Sequence, residues 1–72
     1  MPLVNINMMQ GRPQEKLEEM ASAVAIAIAD TLDAPIGTVR IMINEMQPHQ
    51  YSIGGKSMST VLAERAAAEG ND

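Results

Sequence analysis

Only a few side chains in this sequence are suited to catalysis, and the first candidate is the second residue. Pro2 immediately precedes a hydrophobic stretch that begins at Leu3, although proline has no backbone N–H and a fixed φ angle. An initiator methionine is normally removed when the next residue is small, so we expect Met1 to be absent from the mature chain. The ring nitrogen of Pro2 would then be a free secondary amine and a candidate base.

Two arginines, Arg12 and Arg40, are the cations best suited to assist such a base. A free α-amino group has a pKa of about 7.7–8.0 in model peptides, and burial or nearby positive charge lowers that pKa. Proton abstraction requires a base whose pKa lies near neutrality. Guanidinium groups beside Pro2 would lower its pKa and would also bind a carboxylate substrate through paired hydrogen bonds.

The composition argues against several other kinds of site. The 72 residues include no cysteine and one histidine, His49, so one chain cannot assemble a disulfide framework or a zinc site. Neither a glycine-rich phosphate loop nor a pair of carboxylates in a plausible cleft is present, and the proton chemistry of Pro2 needs no metal or organic cofactor. The net charge of −4, with no basic stripe, disfavours nucleic acid as a partner.

The hydrophobic pattern shows no signal peptide and no run of about 20 apolar residues that could cross a membrane. We therefore expect a cytoplasmic protein, and the short chain predicts one domain over residues 1–72. Apolar residues alternate over residues 3–9, which predicts a strand, and recur at three- and four-residue spacing from 14 to about 32, which predicts a helix. Residues 39–46 form a second predicted strand.

These elements predict an α/β (α+β) fold with a single β-α-β unit and parallel strands. The segment "PHQYSIGG" reads as a turn and extended chain before a glycine pair, giving a short C-terminal hairpin. A second helix is predicted from 57 to about 68, and a frayed acidic tail from about 69 to 72. Asparagines, Met42 and Arg40 fall on the sheet face away from the first helix. Parallel sheets are normally covered on both faces and open strand edges invite pairing, so we expect oligomerisation.

The chain resembles the 4-oxalocrotonate tautomerase family, the small-subunit group of the tautomerase superfamily. The matching pieces extend in order and spacing to about Leu62, and their combination is specific although no single piece is distinctive. They are Pro2, "GR" at 11–12, "LDAP" at 32–35, "VRIMINEM" at 39–46 and "YSIGG" at 51–55. The resemblance implies a homohexamer built as a trimer of dimers, with active sites at subunit boundaries.

The same resemblance implies a role for each matching residue. Pro2 would be the general base that shuttles a proton between carbons of a dienol or enol. Arg40 would bind one carboxylate and the adjacent oxygen, and Arg12 would hold a more distant carboxylate. Tyr51, where the family usually has phenylalanine, and Met9 would form a wall of the pocket. The implied substrate is 2-hydroxymuconate, which would be isomerised to 2-oxo-3-hexenedioate.

Other interpretations stay open at this point. Pro2 could merely protect a strand edge, and Arg40 could form an interfacial ion pair with Glu45. The chain could be a catalytically silent structural subunit of the same fold. Such a subunit could retain Met1, or it could be paired with a second chain. It could also be a related enzyme with an altered reaction, in which the amine acts as a nucleophile in conjugate addition. Pro13 and the long C-terminal stretch depart from the usual family pattern.

Overall fold

The computed structural model describes residues 1–69 and confirms the predicted β-α-β unit followed by a small hairpin and a helix. Two short 3-10 turns, which the sequence analysis did not resolve, connect these elements. In chain order the elements are β1 (Leu3–Met9), α1 (Gln14–Leu32), a 3-10 turn (Ile36–Thr38), β2 (Arg40–Met46), a 3-10 turn (Pro48–Gln50), β3 (Ser52–Ile53), β4 (Lys56–Ser57) and α2 (Met58–Glu69).

Strands β1 and β2 form a parallel two-stranded sheet. Leu3 lies opposite Arg40, and the register continues without a break to Met9 opposite Met46. Backbone hydrogen bonds extend the pairing at both ends, from Arg40 N–H to the Pro2 carbonyl (2.9 Å) and from Gln10 N–H to the Met46 carbonyl (2.8 Å). The amino ends of both strands therefore lie at one edge of the unit.

Strand β2 begins one residue later than predicted. Val39 was expected to be its first residue, but the Val39 N–H donates to the Ile36 carbonyl at 3.1 Å and closes the first 3-10 turn. Because that N–H is used within the turn, it is not available to the neighbouring strand. The alternation of side chains is otherwise as predicted.

The two faces of the sheet differ in their exposure. Val4 and Ile6 on β1, and Ile41 and Ile43 on β2, are half-buried on the face that carries α1. Helix α1 lies closer to β2 than to β1, so an open cleft remains between β1 and the helix. The helix therefore covers this face only in part. On the opposite face the asparagines, Arg40 and Met42 are exposed.

Local chemistry sets both ends of α1. Pro13 occupies the N-cap position without a side-chain cap, and its carbonyl accepts hydrogen bonds from the N–H groups of Lys16 (3.0 Å) and Leu17 (3.3 Å). At the other end, Asp33 has a left-handed conformation with φ 54°, and its N–H donates to the Ala29 carbonyl. Pro35 follows within two residues and disfavours further helix.

The C-terminal segment begins with a tight hairpin. Gly54 and Gly55 have φ angles of 60° and 84°, and two positive φ angles in succession are the requirement of a type I′ turn. Helix α2 starts at Met58, one residue after the predicted start, and continues to Glu69. The predicted acidic tail over residues 70–72 lies outside the described residues. Neither α1 nor α2, the α-helices of the described part, is long and apolar enough to span a membrane.

A single chain has no hydrophobic core over residues 1–69, where no side chain is fully buried. Its accessible surface is 5395 Å², whereas a compact monomer of this mass exposes about 4300 Å². Its radius of gyration is 17.0 Å, compared with about 11 Å for a compact domain of this length. Leu3, Leu32 and Ile53 are each more than half exposed. These surfaces need cover from outside the chain, as the open strand edges also indicate.

Candidate active site

Pro2 and Arg40 lie side by side at the amino end of the sheet. The Arg40 N–H donates to the Pro2 carbonyl at 2.9 Å, and Pro2 is half-buried. The Pro2 nitrogen forms the peptide bond to Met1, and Met1 is 83% exposed. An exposed first residue is accessible to an aminopeptidase, whose action would convert this nitrogen into a free amine beside Arg40.

The Arg40 side chain is held by the turn that precedes β2. Its Nη1 donates to the Gly37 carbonyl, and the turn itself is fixed by two hydrogen bonds from Thr38 to the Pro35 carbonyl. One comes from the Thr38 N–H (2.9 Å) and the other from Oγ1 (2.7 Å). A guanidinium group has five N–H donors, so this anchor leaves donors that can bind a carboxylate.

Met9 and Tyr51 lie together at the opposite end of the sheet. They line an open cleft at the carboxyl ends of β1 and β2, with Asn7, Met8 and Met46 as the other lining residues. Tyr51 is 40% exposed. Met9 and Tyr51 thus line the same cleft within one chain, and their roles as a wall of a substrate pocket stay a prediction.

The backbone of Tyr51 is fixed on both sides. Its N–H donates to the Pro48 carbonyl at 3.4 Å, and its carbonyl accepts from the Met58 N–H at 2.7 Å. The preceding 3-10 turn is closed by reciprocal bonds, in which Gln47 N–H donates to Gln50 Oε1 (2.8 Å) and Gln50 N–H donates to the Gln47 carbonyl (2.9 Å). The turn and the start of α2 therefore fix the backbone position of Tyr51 at the cleft.

Arg12 occupies a third location. It lines the cleft between β1 and α1, whose apolar walls are Ile6, Met8, Leu17 and Met20, and Lys16 is the other cation there. Met8 lies between this cleft and the one that contains Tyr51. Within one chain, Arg12 and Tyr51 therefore do not line the same cleft.

The predicted site residues fall at opposite ends of the sheet. Pro2 precedes β1 and Arg40 is the first residue of β2, whereas Tyr51 follows β2, and seven residues of β1 separate the two ends. At about 3.3 Å per residue this separation is roughly 20 Å, which is far longer than a six-carbon acid. One chain cannot place all of these groups on one small substrate, so their meeting requires residues from other chains.

Within residues 1–69 of one chain, the ion pairs do not involve Arg40. The Arg40 guanidinium bonds to Gly37 within its own chain, and the ion pairs formed within residues 1–69 are Lys16–Glu19 and Lys56–Glu64. The pairing of Arg40 with Glu45 is thus not formed inside a chain. In the described part of the chain no group of three His, Cys, Asp or Glu residues could hold a metal ion.

Two residues of these clefts were not identified from the sequence. Asn7 was assigned only to a polar sheet face, and Lys16 was taken as an ordinary surface residue. A usable signal existed for Asn7, because it lies two residues before Met9 on the same face of β1 and residues at that spacing are neighbours. No comparable signal existed for Lys16, since its place depends on how far α1 stands from β1.

Comparison with known proteins gives the family. A family model described as "Tautomerase enzyme" matches residues 2–61. The chain belongs to the tautomerase family. It is 38% identical over 61 residues to a 2-hydroxymuconate tautomerase of Stutzerimonas stutzeri, and 39% identical over 61 residues to one of Pseudomonas putida. Each alignment covers 85% of this chain and 97% of the relative.

Solved tautomerase structures share the fold. A heterohexamer 4-oxalocrotonate tautomerase from Chloroflexus aurantiacus J-10-fl is 39% identical, with a TM-score of 0.76, over 82% of this chain and 95% of that chain. A 4-oxalocrotonate tautomerase isozyme structure from Methylibium petroleiphilum is 30% identical, with a TM-score of 0.83, over 88% and 98%. The predicted family and fold class are confirmed. The tautomerase match ends at residue 61, so most of α2 lies beyond it.

Proposed function

We propose that the mature chain begins at Pro2 and is a cofactor-free tautomerase that moves a proton within an enol dicarboxylate such as 2-hydroxymuconate. The observation that carries this proposal is the match to proteins named 2-hydroxymuconate tautomerase over 97% of their length. The supporting chemistry comes from Pro2 and two arginines, Arg12 and Arg40, which supply a base and two carboxylate-binding groups. A cytoplasmic location is part of the same proposal.

The reaction needs a base that is uncharged at working pH and regenerated in each turnover. The Pro2 amine accepts the proton of the enol hydroxyl group and delivers it to carbon 5 of the conjugated chain, so the enol becomes the ketone 2-oxo-3-hexenedioate. Arg40 lies opposite Leu3 in the sheet register, next to Pro2. A guanidinium group beside an amine lowers the pKa of that amine. The proposed mechanism requires the neutral form of Pro2, which positive charge beside the amine favours.

The two arginines divide the binding of the substrate. Arg40, anchored at Gly37, binds the carboxylate next to the enol oxygen and stabilises the negative charge that develops there. Arg12 binds the distant carboxylate from a different chain and draws electron density along the conjugated system. This division agrees with the separate locations of Arg40 and Arg12 in the fold.

The proposed active form is an oligomer, with a homohexamer arranged as a trimer of dimers as the specific expectation. Its support is the absence of a core in residues 1–69 and the roughly 20 Å between the two groups of site residues. The alternative is an assembly with a second, different chain. Its support is that a similar solved structure is a heterohexamer. Native mass spectrometry of the protein expressed alone and with candidate partners distinguishes the two.

The test is a turnover assay on 2-hydroxymuconate with the amino terminus defined by intact mass. We expect the mass of the chain that lacks Met1 and conversion to the conjugated ketone, followed by ultraviolet absorbance. Absence of turnover in an oligomer that begins at Pro2 would contradict the proposal. Retained Met1 together with an inactive oligomer would instead support a silent subunit, and a reductant-trapped iminium adduct would support conjugate addition.

A further inference from the structure

The side chain of Thr38 takes part in the turn that holds Arg40, although the proposed mechanism gives Thr38 no role. Thr38 ends the 3-10 turn before β2 and is half-buried. Its Oγ1 donates to the Pro35 carbonyl at 2.7 Å, and its backbone N–H donates to the same carbonyl at 2.9 Å. Two hydrogen bonds from one residue to one acceptor therefore fix the position of Thr38 relative to Pro35.

The peptide unit between Gly37 and Thr38 carries this restraint to the guanidinium group of Arg40. The Gly37 carbonyl and the Thr38 N–H belong to one planar unit, and in the trans form they point in opposite directions. Because the Thr38 N–H is directed at the Pro35 carbonyl, the Gly37 carbonyl is directed away from it. That carbonyl accepts the hydrogen bond from Arg40 Nη1, so the bonds of Thr38 set the direction of the acceptor.

Little else restrains this peptide unit. Gly37 has no side chain that could pack, and apart from its chain neighbours no atom of the described residues lies within 4 Å of the place that a Cβ would take. An arginine side chain loses much rotamer freedom when it is ordered. A mobile acceptor at Gly37 would therefore leave the Arg40 guanidinium distributed over several positions.

The contacts that connect Thr38 to Arg40 are local. Each of them joins residues three positions apart in the sequence, so they form within one chain and need no residue from a neighbouring subunit. A guanidinium group has five N–H donors, and the bond to Gly37 uses one of them. The remaining donors can bind a carboxylate in a site that other chains complete.

We infer that Thr38 is a positioning residue, whose hydroxyl holds the Gly37 carbonyl and through it the Arg40 guanidinium in the orientation that binds the substrate carboxylate. This inference rests on the proposed tautomerase function and adds to it a residue that does not touch the substrate. Loss of one neutral hydrogen bond changes an equilibrium constant by about threefold to tenfold, and an effect of this size is expected on turnover.

The first experiment measures the effect of Thr38→Val on kcat/KM for 2-hydroxymuconate alone and in two backgrounds. Valine has a shape similar to that of threonine but no hydroxyl, and Thr38→Val alone is expected to lower kcat/KM by about threefold to tenfold. In the Arg40→Ala background it should cause no further loss, because the group that Thr38 positions is absent. In the Arg12→Ala background it should cause the full loss, because effects at separate sites add. Equal losses in both backgrounds, or no loss in Thr38→Val alone, overturn the inference.

Thr38→Ser tests for rescue, and Thr31→Val is the matched control. Serine keeps the hydroxyl donor, so Thr38→Ser should retain the kcat/KM of the unsubstituted protein. Thr31 is exposed near the end of α1, and none of the side-chain hydrogen bonds formed within residues 1–69 uses it. Thr31→Val should therefore leave kcat/KM unchanged. If Thr38→Val does not assemble, Thr38→Ala removes the same donor and is read in the same way.

A second measurement needs no substrate, so it separates this inference from the proposed function. Nitrogen NMR relaxation of the Arg40 Nε–H group reports the mobility of that side chain, with the exposed Arg65 as the reference. Thr38→Val should increase the mobility of Arg40, whereas Thr38→Ser should not. Unchanged mobility in Thr38→Val overturns the inference even in an active enzyme. Increased mobility in a protein that does not convert 2-hydroxymuconate supports the positioning of Arg40 and counts against the proposed function alone.

Discussion

At the level of single residues, the carbonyl and the nitrogen of Pro2 have separate tasks. The carbonyl oxygen accepts a hydrogen bond from Arg40 and belongs to the sheet, whereas the nitrogen is the proposed base. Any residue at position 2 supplies the carbonyl, but only proline supplies a secondary amine after removal of Met1. The chemistry at this position can therefore be changed while the sheet hydrogen bond is retained.

Replacement of Pro2 by alanine is expected to lower kcat/KM on 2-hydroxymuconate by about 10²-fold or more, the contribution typical of a general base. Alanine is small enough for Met1 to be removed and leaves a primary amine in a less constrained chain. Steady-state kinetics measure the loss, and intact mass with analytical ultracentrifugation checks the terminus and the assembly. Unchanged turnover in a correctly processed variant would remove Pro2 from the mechanism.

The two arginines are separated by their response to the number of carboxylates on the substrate. On a monocarboxylate 2-hydroxydienoate, Arg40→Ala is expected to lower kcat/KM by about 10²-fold, while Arg12→Ala has little effect because its carboxylate is missing. On 2-hydroxymuconate both substitutions are expected to lower kcat/KM. Arg65→Ala, an exposed arginine on α2, is the matched control. Equal losses with Arg12→Ala on both substrates would refute the division.

Residue roles were only partly predictable from the sequence. The chemistry of Pro2 and the suitability of Arg40 as its neighbour follow from residue type and strand register. The placement of Arg12 and Tyr51 in different clefts does not follow, because it depends on how far α1 stands from β1. Periodicity gives the face of an element but not the distance between two elements, and Lys16 was overlooked for the same reason.

At the level of elements, the charges near the two ends of α1 affect the stability of the fold. Negative charge is favourable near the N-terminus of a helix and unfavourable near the C-terminus. Glu15 lies in the first turn, whereas Asp33 caps the last turn with a left-handed backbone. The sequence analysis predicted the limits of α1 correctly because proline and the change of period mark them, but it did not identify this capping conformation.

Asp33→Asn is expected to raise the free energy of unfolding by about 0.3–1 kcal/mol at low salt. Asparagine tolerates the left-handed conformation and removes the charge that opposes the helix dipole. Glu15→Gln is the opposite control, since it removes a favourable charge and should destabilise by a similar amount. Thermal melts at one protein concentration measure both effects. A difference between the two variants that does not shrink in high salt would contradict the electrostatic explanation.

At the level of the whole molecule, the missing core couples folding to association. An extended chain with no fully buried residue over 1–69 gains its apolar burial from contacts with other chains. Oligomerisation was predicted from open sheet edges and an uncovered sheet face, and the structure adds the exposed apolar residues that make it necessary. The number of chains and their arrangement depend on shape complementarity, which one sequence does not provide.

The melting temperature is expected to rise with protein concentration, because association stabilises the folded chain by mass action. Dilution should also lower the specific activity at the concentration where the oligomer dissociates. Differential scanning fluorimetry over a hundredfold dilution, together with activity at each concentration, measures both. A melting temperature independent of concentration, with a monomer by sedimentation, would contradict the coupling.

The positions of Pro2 and Arg12 before and after β1 have a genetic consequence for the proposed assembly. If one site takes its base from one chain and its distant carboxylate contact from another, two defective chains can repair each other. Chains with Pro2→Ala and chains with Arg12→Ala, unfolded together and refolded as a mixture, would create some sites in which both residues are intact. We expect such mixed particles to recover turnover that neither variant shows by itself, whereas simply pooling the folded variants would not restore it.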